Sequence, residues 1–400
     1  MLLRPVDLDA TLPADHQART IWEFVERMDL TKFLDAIEAR EGEPGRDATD
    51  PKILITLWLY ATSEGIGSAR ELARLCEMHD AYRWICGGVS MNYHTLSDFR
   101  VEHGEAVDAL LTEVLGVMMQ EGLVTLSRVA QDGTRVRASA GASSFRREPR
   151  LREFLEAAEE QVEQAKKLAD DPTVTAREAA ARQRAARERE ARIRKALEEL
   201  PKAREAKKAD EKAEARVSTT DPEARVMKMG DGGFRPAYNV QFAATTKETV
   251  IVGVGVTQIG SDKGQMTPML EQIEERMGKR PVEHLVDGGY VNREAIEEAE
   301  KNGTQVYAPP AARKKGEAPC CEPQPDDSPE VAAWRRRMGT AEAKDLYKRQ
   351  RGATVELVNA DLKEHRGMKL RVRGLEKVRV VALWHALAFN LMRWNALATA

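Results

Sequence analysis

The sequence predicts an α/β fold in which a mixed sheet is flanked by helices, together with an all-α N-terminal domain and a charged helical insertion. Residues 1–125 form amphipathic helical segments, and residues 146–216 consist mainly of Ala, Glu, Arg and Lys. From residue 217 onward, strand-like runs alternate with helical ones, an order that suits a sheet covered by helices. At 400 residues the chain exceeds what one hydrophobic core supports, so we expect two or three structural units.

Composition and charge restrict the class of protein. The chain is 42% hydrophobic and 32% charged, has no apolar run long enough to span a bilayer, and begins with acids instead of the apolar stretch of a signal peptide. These features predict a cytoplasmic protein.

The four cysteines lack the spacing of a zinc site or a disulfide framework, which favours reduced thiols. The net charge of -3 argues mildly against a protein that coats DNA, although the distribution of charge matters more than its sum.

The N-terminal residues, 1–125, carry the start and stop signals of several short helices. Pro51 begins an apolar helix that Gly65 closes, and Ser68 can cap the next helix. A further amphipathic helix or pair of helices follows from about His94. A small helical bundle of this kind suits either a helix-turn-helix that binds DNA or a plain packing domain, and the helical pattern leaves both open.

Two stretches separate this domain from the rest of the sheet. Residues 126–145 are predicted to form the first strand of the α/β domain, and this strand is predicted to end in a turn at Asp132-Gly133. Residues 146–216 are predicted to form an exposed helical hairpin or coiled-coil arm, punctuated by Pro172 and Pro201. Its mixed charges are those of a solvated helical face without chemistry of its own.

Residues 217–400 are predicted to form the remainder of the α/β domain. Two strand-like runs joined near residues 246–248 predict an antiparallel hairpin. An amphipathic helix, a short buried strand that ends at Asp287, a helix capped by Asn292 and another strand follow in turn. A long helical region begins at about residue 341, and its last apolar stretch is expected to dock on the sheet.

Three carboxylates are the candidates for chemistry. Asp132 and Asp287 each follow a strand-like run and precede glycine, and acids at the ends of neighbouring strands can converge at one sheet edge. Either Asp-Gly pair taken alone is more often a turn. Glu356 has Lys363 seven positions further on, nearly on the same helical face, but this spacing alone favours an ordinary surface helix. Such acids suit Mg²⁺, which prefers oxygen ligands and can assist phosphoryl transfer as a pair of ions.

At these residues the sequence resembles bacterial insertion-sequence transposases of the DDE type. The resemblance spans nearly the whole chain and rests on motifs in family order: VAQDGTRVRASA, STTDPEARVMK, YNVQ, GSDKGQMTPML, LVDGGY and YKRQRGATVELVNADLK. It implies a ribonuclease-H-like catalytic fold, a helical N-terminal domain that binds DNA, and a charged arm between the first two strands. A series of this length is far more specific than any single motif.

The resemblance also implies roles for particular residues. Asp132, Asp287 and Glu356 match the catalytic and metal-binding triad, which would use Mg²⁺ or Mn²⁺, as two ions. Lys363, Arg351 and Tyr347 match the basic and aromatic residues expected to contact DNA, although the last two depart from the commonest spacing to Glu356. Phosphate contacts of this kind give affinity without sequence specificity. Asp221 and Asp262 lie in family-like segments but also suit caps and turns.

The implied activity is cleavage of DNA at the ends of an insertion sequence, followed by attack of the freed 3′-hydroxyl on target DNA. The expected partners are element ends and target DNA in the nucleoid, and the chain would form a homodimer or a higher synaptic oligomer, because two ends must be paired. Two alternatives remain open: a metal-dependent nuclease without strand transfer, and an inactive DNA-binding relic whose helical N-terminus is the working part.

Overall fold

The computed structural model describes residues 7–37, 48–168, 173–311 and 320–399. Its N-terminal part is helical: α1 (Gln17–Glu26), α2 (Thr31–Asp35), α3 (Pro51–Ser63), α4 (Ala69–Met78), α5 (Asp80–Ile85), α6 (Tyr93–Glu102) and α7 (Gly104–Gln120). As predicted, α3 begins at Pro51, where the Asp50 carboxylate accepts a hydrogen bond from the Lys52 amide at 2.8 Å. Gly65 follows α3 with φ of 73°, a conformation that glycine adopts without strain.

A six-stranded mixed sheet follows. Its strands are β1 (Arg128–Arg137), β4 (Arg225–Lys228), β5 (Phe234–Thr245), β6 (Ile251–Thr257), β7 (Glu283–Leu285) and β8 (Gln305–Tyr307), in the order β4-β5-β1-β7-β8 with β6 also paired to β5. β1 runs antiparallel to β5 and parallel to β7, and β7 runs parallel to β8. This mixed sheet flanked by helices confirms the predicted fold class and is consistent with a ribonuclease-H-like domain.

The helices of this part of the chain cover the sheet. They are α10 (Met266–Met277), α11 (Arg293–Lys301), α12 (Pro329–Gly339), α13 (Ala341–Gln350), α14 (Leu357–Ala360) and α15 (Leu375–Ala398). Two π-helical turns, Gly352–Glu356 and Asp361–His365, lie on either side of α14. The predicted hairpin is β5 with β6, and the short strand β4 beside β5 is a further strand that the sequence pattern did not indicate.

The charged stretch forms a helical hairpin of α8 (Glu148–Lys167) and α9 (Ala176–Glu205). At its base a two-stranded ladder, β2 (Phe145–Arg146) with β3 (Val217–Ser218), joins the chain that leaves the sheet to the chain that returns. Pro201 lies inside α9 and does not interrupt it, and the neighbouring Leu200 and Ala203 belong to a small apolar core. Pro172 lies outside the described residues.

The last helix, α15, joins the N-terminal helices to the sheet. It packs against α3 and α7 on the one hand and against β6 on the other, and it is buried from Val378 to Leu391. Asn390 fixes α15 to β6 by bonding both the backbone N–H and the C=O of Ile251, at 2.8 and 2.7 Å. One hydrophobic core therefore extends from the N-terminal helices to the sheet. Among the described residues, no helix is both long and apolar enough to cross a membrane.

Candidate active site

Asp132 lies in the middle of β1, so the predicted turn at Asp132-Gly133 was wrong. The strand continues to Arg137 because β5 goes on pairing with it as far as that residue. The parallel pairing with β7 is shorter and stops at Ala130, which faces Leu285. Asp132 therefore lies beyond the last parallel pair, where one edge of its strand is open.

The same register brings Asp287 beside Asp132. Asp132 and Asp287 each follow the last parallel pair, Ala130 and Leu285, by two residues. β7 ends at Leu285 and not at Asp287 as predicted, so Asp287 lies in the turn after the strand. The two carboxylates are close enough for the same Arg351 nitrogen to lie 2.8 Å from Asp132 Oδ1 and 3.7 Å from Asp287 Oδ2. The Asp287 carboxylate also accepts a hydrogen bond from the Gly289 amide at 2.7 Å, which fixes the tight turn after β7.

Arg351 connects these two acids to the third. Its guanidinium donates to Asp132 Oδ1 at 2.8 Å and to Glu356 Oε1 at 3.0 Å, and it lies 3.7 Å from Asp287 Oδ2. The side chains of Arg351 and Asp132 are only 12% and 19% exposed, whereas that of Glu356 is 60% exposed. Three carboxylates from distant parts of the chain thus surround one cation, with Glu356 at the solvent-facing rim.

The helix that carries Glu356 is not the regular one that the sequence predicts. Glu356 ends one π-helical turn and Lys363 lies in the next. A π-turn contains more residues than an α-turn, so the seven-residue spacing does not define one face here. Such turns are frequent at functional sites, where they change the direction of a side chain.

Lys363 nevertheless lies within electrostatic range of Asp132. Desolvation by neighbouring atoms lowers the pKa of Lys363, and the Asp132 carboxylate partly opposes this shift. The side chain remains exposed, and within the described residues Lys363 forms no ion pair. A free ammonium group beside the acids is therefore available to a ligand.

The charges in this cluster perturb one another. Burial raises the pKa of Asp132, and the nearby Asp287 and Asp262 carboxylates raise it further against the opposing effect of Arg351. Desolvation would lower the pKa of Arg351, but Asp132 and the other acids raise it above its usual range. Three carboxylates facing one guanidinium leave negative charge uncompensated, which favours an additional cation.

Tyr347, the aromatic residue expected to contact DNA, lies one turn before Arg351 on α13. It is half-buried, and burial raises the pKa of Tyr347 to about 12, with contributions from the same three acids. Its backbone carbonyl accepts the Arg351 amide at 3.1 Å. The structure therefore brings Tyr347 and Arg351 to the acids despite their unusual spacing in the sequence.

Asn359 is a member of the site that sequence reasoning missed. Its Nδ2 donates to Asp132 Oδ2 at 3.1 Å. Asn359 is buried, with only 7% of its surface exposed. Two buried atoms of the site, Asn359 Oδ1 and Arg351 Nε, have no partner among the described residues. The signal available in the sequence was weak: Asn359 follows Glu356 by three residues, the interval of neighbours on a helix. We refer to Asp132, Asp287, Glu356, Arg351 and Asn359 as the acid cluster.

The acid cluster has the donor chemistry that a divalent cation requires. Its carboxylates and the unpartnered Asn359 Oδ1 are the hard oxygen ligands that Mg²⁺ prefers. In the described parts of the chain, no three His, Cys, Asp or Glu side chains are arranged to hold an ion. Here the carboxylates converge on Arg351 and not directly on one another, so a bound cation would have to replace the guanidinium.

A second polar cluster lies behind the first. It consists of buried side chains from β1, β5 and the two loops that follow β6 and β7, and we call it the amide network: Gln131, Asn239, Gln241, Asp262 and Tyr290. Gln241 is its centre, since it donates to Asp262 Oδ1 at 2.7 Å and to Asn239 Oδ1 at 3.2 Å while it accepts from Tyr290 and from Gln131. Through Tyr290 the network fixes the loop that carries Asp287.

Gly133 is not the turn residue that the sequence predicts. A Cβ on Gly133 would come within 2.2 Å of both Asp262 Oδ1 and Gln241 Nε2. The glycine is therefore required because the amide network occupies the space beside the strand, and not because the backbone turns. Asp262 accepts from Asn239 at 2.8 Å and pairs with Arg135 at 3.1 Å, so its contacts are those of a structural carboxylate.

Asp221 is buried elsewhere. It accepts hydrogen bonds from the Tyr238 hydroxyl at 2.7 Å and from the Gly374 amide at 3.1 Å, at the start of α15. Burial raises the pKa of Asp221, and these two donors oppose the shift. Its hydrogen bonds thus join the segment before β4 to α15 and lead away from the three acids.

Two family models match the chain. The family described as Transposase domain (DUF772) matches residues 6–102, which include α1 to α6. The family described as Transposase DDE domain matches residues 202–391, which include Asp287, Glu356 and most of the sheet. The chain belongs to the DDE transposases of insertion sequences. No curated protein and no solved structure matches the chain.

Proposed function

We propose that this transposase catalyses metal-dependent cleavage of DNA at the ends of its insertion sequence and transfers the cleaved strand to target DNA. Asp132, Asp287 and Glu356 are the catalytic acids and the ligands of Mg²⁺ or Mn²⁺. The observation that carries the proposal is the convergence of these three acids, from two strands and a helix, around one cationic group. Convergence of this kind has no structural need, because like charges repel when they are brought together.

The reaction conserves the number of phosphodiester bonds in its second step. Cleavage adds water across one P–O bond and leaves a 3′-hydroxyl and a 5′-phosphate. The 3′-hydroxyl then attacks a phosphodiester of the target, forms a new P–O bond and displaces the target 3′-oxygen. When bound, the divalent ions would supply activation of the attacking oxygen and stabilisation of the leaving oxygen.

The residues of the acid cluster would position the scissile phosphate. Asp132 and Asp287 are fixed by the sheet and by the turn after β7, so their oxygens are held before DNA arrives. Lys363 is exposed and forms no ion pair within the described residues, so its ammonium group can bind a phosphate oxygen, and the Arg351 guanidinium adds positive charge beside it. Fixed charges of this kind stabilise charge as it develops in the transition state.

The wider assembly follows from the need to pair two DNA ends. We propose that the N-terminal helices contact DNA and that the protein acts as a homodimer or a higher oligomer on nucleoid DNA in the cytoplasm. α15 joins those helices to the sheet in one hydrophobic core. A DNA contact on the N-terminal helices would thus be held in a fixed relation to the acids.

The test is a joining assay with the purified protein, Mg²⁺, DNA carrying both ends of its own element, and a plasmid target. We expect cleaved ends and joined products from the wild type, and neither from Asp287→Asn. The matched control is Asp345→Asn, which neutralises an exposed acid of α13 whose ion pair, within the described residues, is with Arg349 alone. Cleavage without joined products would support the nuclease alternative, and DNA binding without cleavage would support the inactive relic.

A further inference from the structure

Asn359 has the geometry of a fourth polar group in the active site, in addition to the three acids. It lies on α14 between the two π-turns, and its amide meets Asp132 at the base of the acid cluster. Its surroundings leave it only 7% exposed, so its polar atoms can contact solvent very little. A buried amide needs partners for both of its ends, and only one end has a partner in the structure.

The orientation of the amide follows from its neighbour. An ionised carboxylate only accepts hydrogen bonds, so the Asn359 group that faces Asp132 Oδ2 must be the NH₂ end. The carbonyl oxygen, Oδ1, is the other end of the same amide, and no donor among the described residues reaches it. This oxygen is a hard ligand of the type that binds divalent cations or their waters.

Asn359 and Arg351 hold the two oxygens of Asp132 separately. Arg351 donates to Oδ1 at 2.8 Å, and Asn359 donates to Oδ2 at 3.1 Å. A cation that displaces the guanidinium would free Oδ1 while Asn359 still held Oδ2. The carboxylate would therefore keep its orientation through the exchange of one cation for the other.

We infer that Asn359 is a positioning residue for Asp132 and that its Oδ1 binds the divalent cation or a water of that cation's hydration shell. This inference rests on the proposed function, because it requires the acid cluster to bind a divalent ion. Partners of metal ligands that hold the ligand in orientation typically contribute roughly 10- to 100-fold to metal affinity. Asn359 should contribute at the lower end of this range, since the carboxylates remain.

The experiment measures Mn²⁺ binding to the DNA-free protein by the loss of the free-ion EPR signal. We expect Asn359→Leu to bind Mn²⁺ about tenfold more weakly than the wild type, because it removes both the hydrogen bond to Asp132 and the amide oxygen. Asn359→Gln keeps both the amide NH₂ and the amide oxygen and should restore part of the affinity. Circular dichroism of each variant gives the folded fraction to which binding is normalised.

The matched control is Asn390→Leu, which removes another fully buried asparagine whose bonds go to the backbone of Ile251. Its folded fraction should bind Mn²⁺ as the wild type does. Equal affinity of Asn359→Leu and the wild type would overturn the inference about Asn359 alone. If the wild type itself binds no Mn²⁺ beyond what Asp287→Asn binds, the proposed function fails first, and the inference fails with it.

Discussion

The acid cluster and the amide network each include one of two consecutive residues of β1, yet the two clusters differ in how completely their polar atoms are hydrogen-bonded. Gln131 belongs to the network and Asp132 to the cluster. Every buried side-chain polar atom of the five network residues has a partner, whereas the cluster leaves Arg351 Nε and Asn359 Oδ1 without one. The network is also neutralised within the fold, since Asp262 pairs with Arg135.

This difference distinguishes polar residues that stabilise the fold from polar residues that are suited to bind a ligand. A buried polar group without a partner costs free energy, and a bound ion or its water is one way to offset that cost. The amide network fixes the loop after β7 and the position of Asp287, and it needs nothing further. The acid cluster is incomplete by itself, and both its excess negative charge and its unpaired atoms are suited to a cation and a phosphate.

The largest expected effect is on catalysis by the acid cluster. Asp132→Asn should reduce DNA cleavage by roughly a thousandfold, because it removes a charged ligand at the reacting phosphate. The same variant should unfold at nearly the wild-type temperature, since burial already disfavours the charged form of Asp132. Cleavage rates test the catalytic loss, and thermal unfolding tests the unchanged stability. A large loss of stability would show that Asp132 serves mainly to stabilise the fold.

The opposite result is expected for the amide network. Gln241→Leu leaves Asp262, Tyr290 and Gln131 without their common partner and should lower the free energy of unfolding by about 1–3 kcal/mol. Urea denaturation measures this change. Mn²⁺ binding by the folded protein should change far less than in Asn359→Leu. A selective loss of metal binding with unchanged stability would remove the distinction between the two clusters.

Arg351→Gln tests whether a divalent cation takes the place of the guanidinium in the acid cluster. Without the guanidinium, the three carboxylates repel one another in the absence of metal, so the variant should unfold at a lower temperature in EDTA. Mn²⁺ should then bind several-fold more tightly, because it no longer competes with an internal cation. Calorimetric titration and thermal unfolding with and without Mn²⁺ test this. Weaker Mn²⁺ binding would contradict the exchange of cations.

The smallest effect is expected at Lys363. Lys363→Gln removes one phosphate contact and should weaken DNA binding similarly for all sequences, with the slope of log affinity against log salt reduced by about 1. Fluorescence anisotropy at several salt concentrations measures this slope. Lys348→Gln is the control, since this exposed lysine on α13 is in the same region but outside the cluster. An unchanged slope would show that Lys363 does not contact DNA.

The sequence indicated the fold and the acids because each rests on a local signal. Strand and helix patterns gave the order of elements, and the motifs around Asp132 and Asp287 named two of the acids. Asn359, the role of Gly133 and the Gln241 network could not be predicted in this way. Each depends on which residues face one another across strands, and a register shift of one residue would exchange the faces on which they lie.

The π-turns show the same limit on the helical side. Regular spacing predicted that Glu356 and Lys363 share a face, but the helix widens at both residues. Arg351 was doubtful by spacing and yet contacts all three acids. The first π-turn, Gly352–Glu356, packs against β1 and β5, and contacts of this kind are not contained in a linear pattern.

The most direct test of the central claim is the anomalous diffraction of crystals soaked in Mn²⁺. We predict a Mn²⁺ peak bounded by the carboxylates of Asp132 and Asp287, with the Arg351 guanidinium moved away from Asp132 Oδ1. An acid cluster without a peak at saturating Mn²⁺, with Arg351 still bonded to all three acids, would contradict the account.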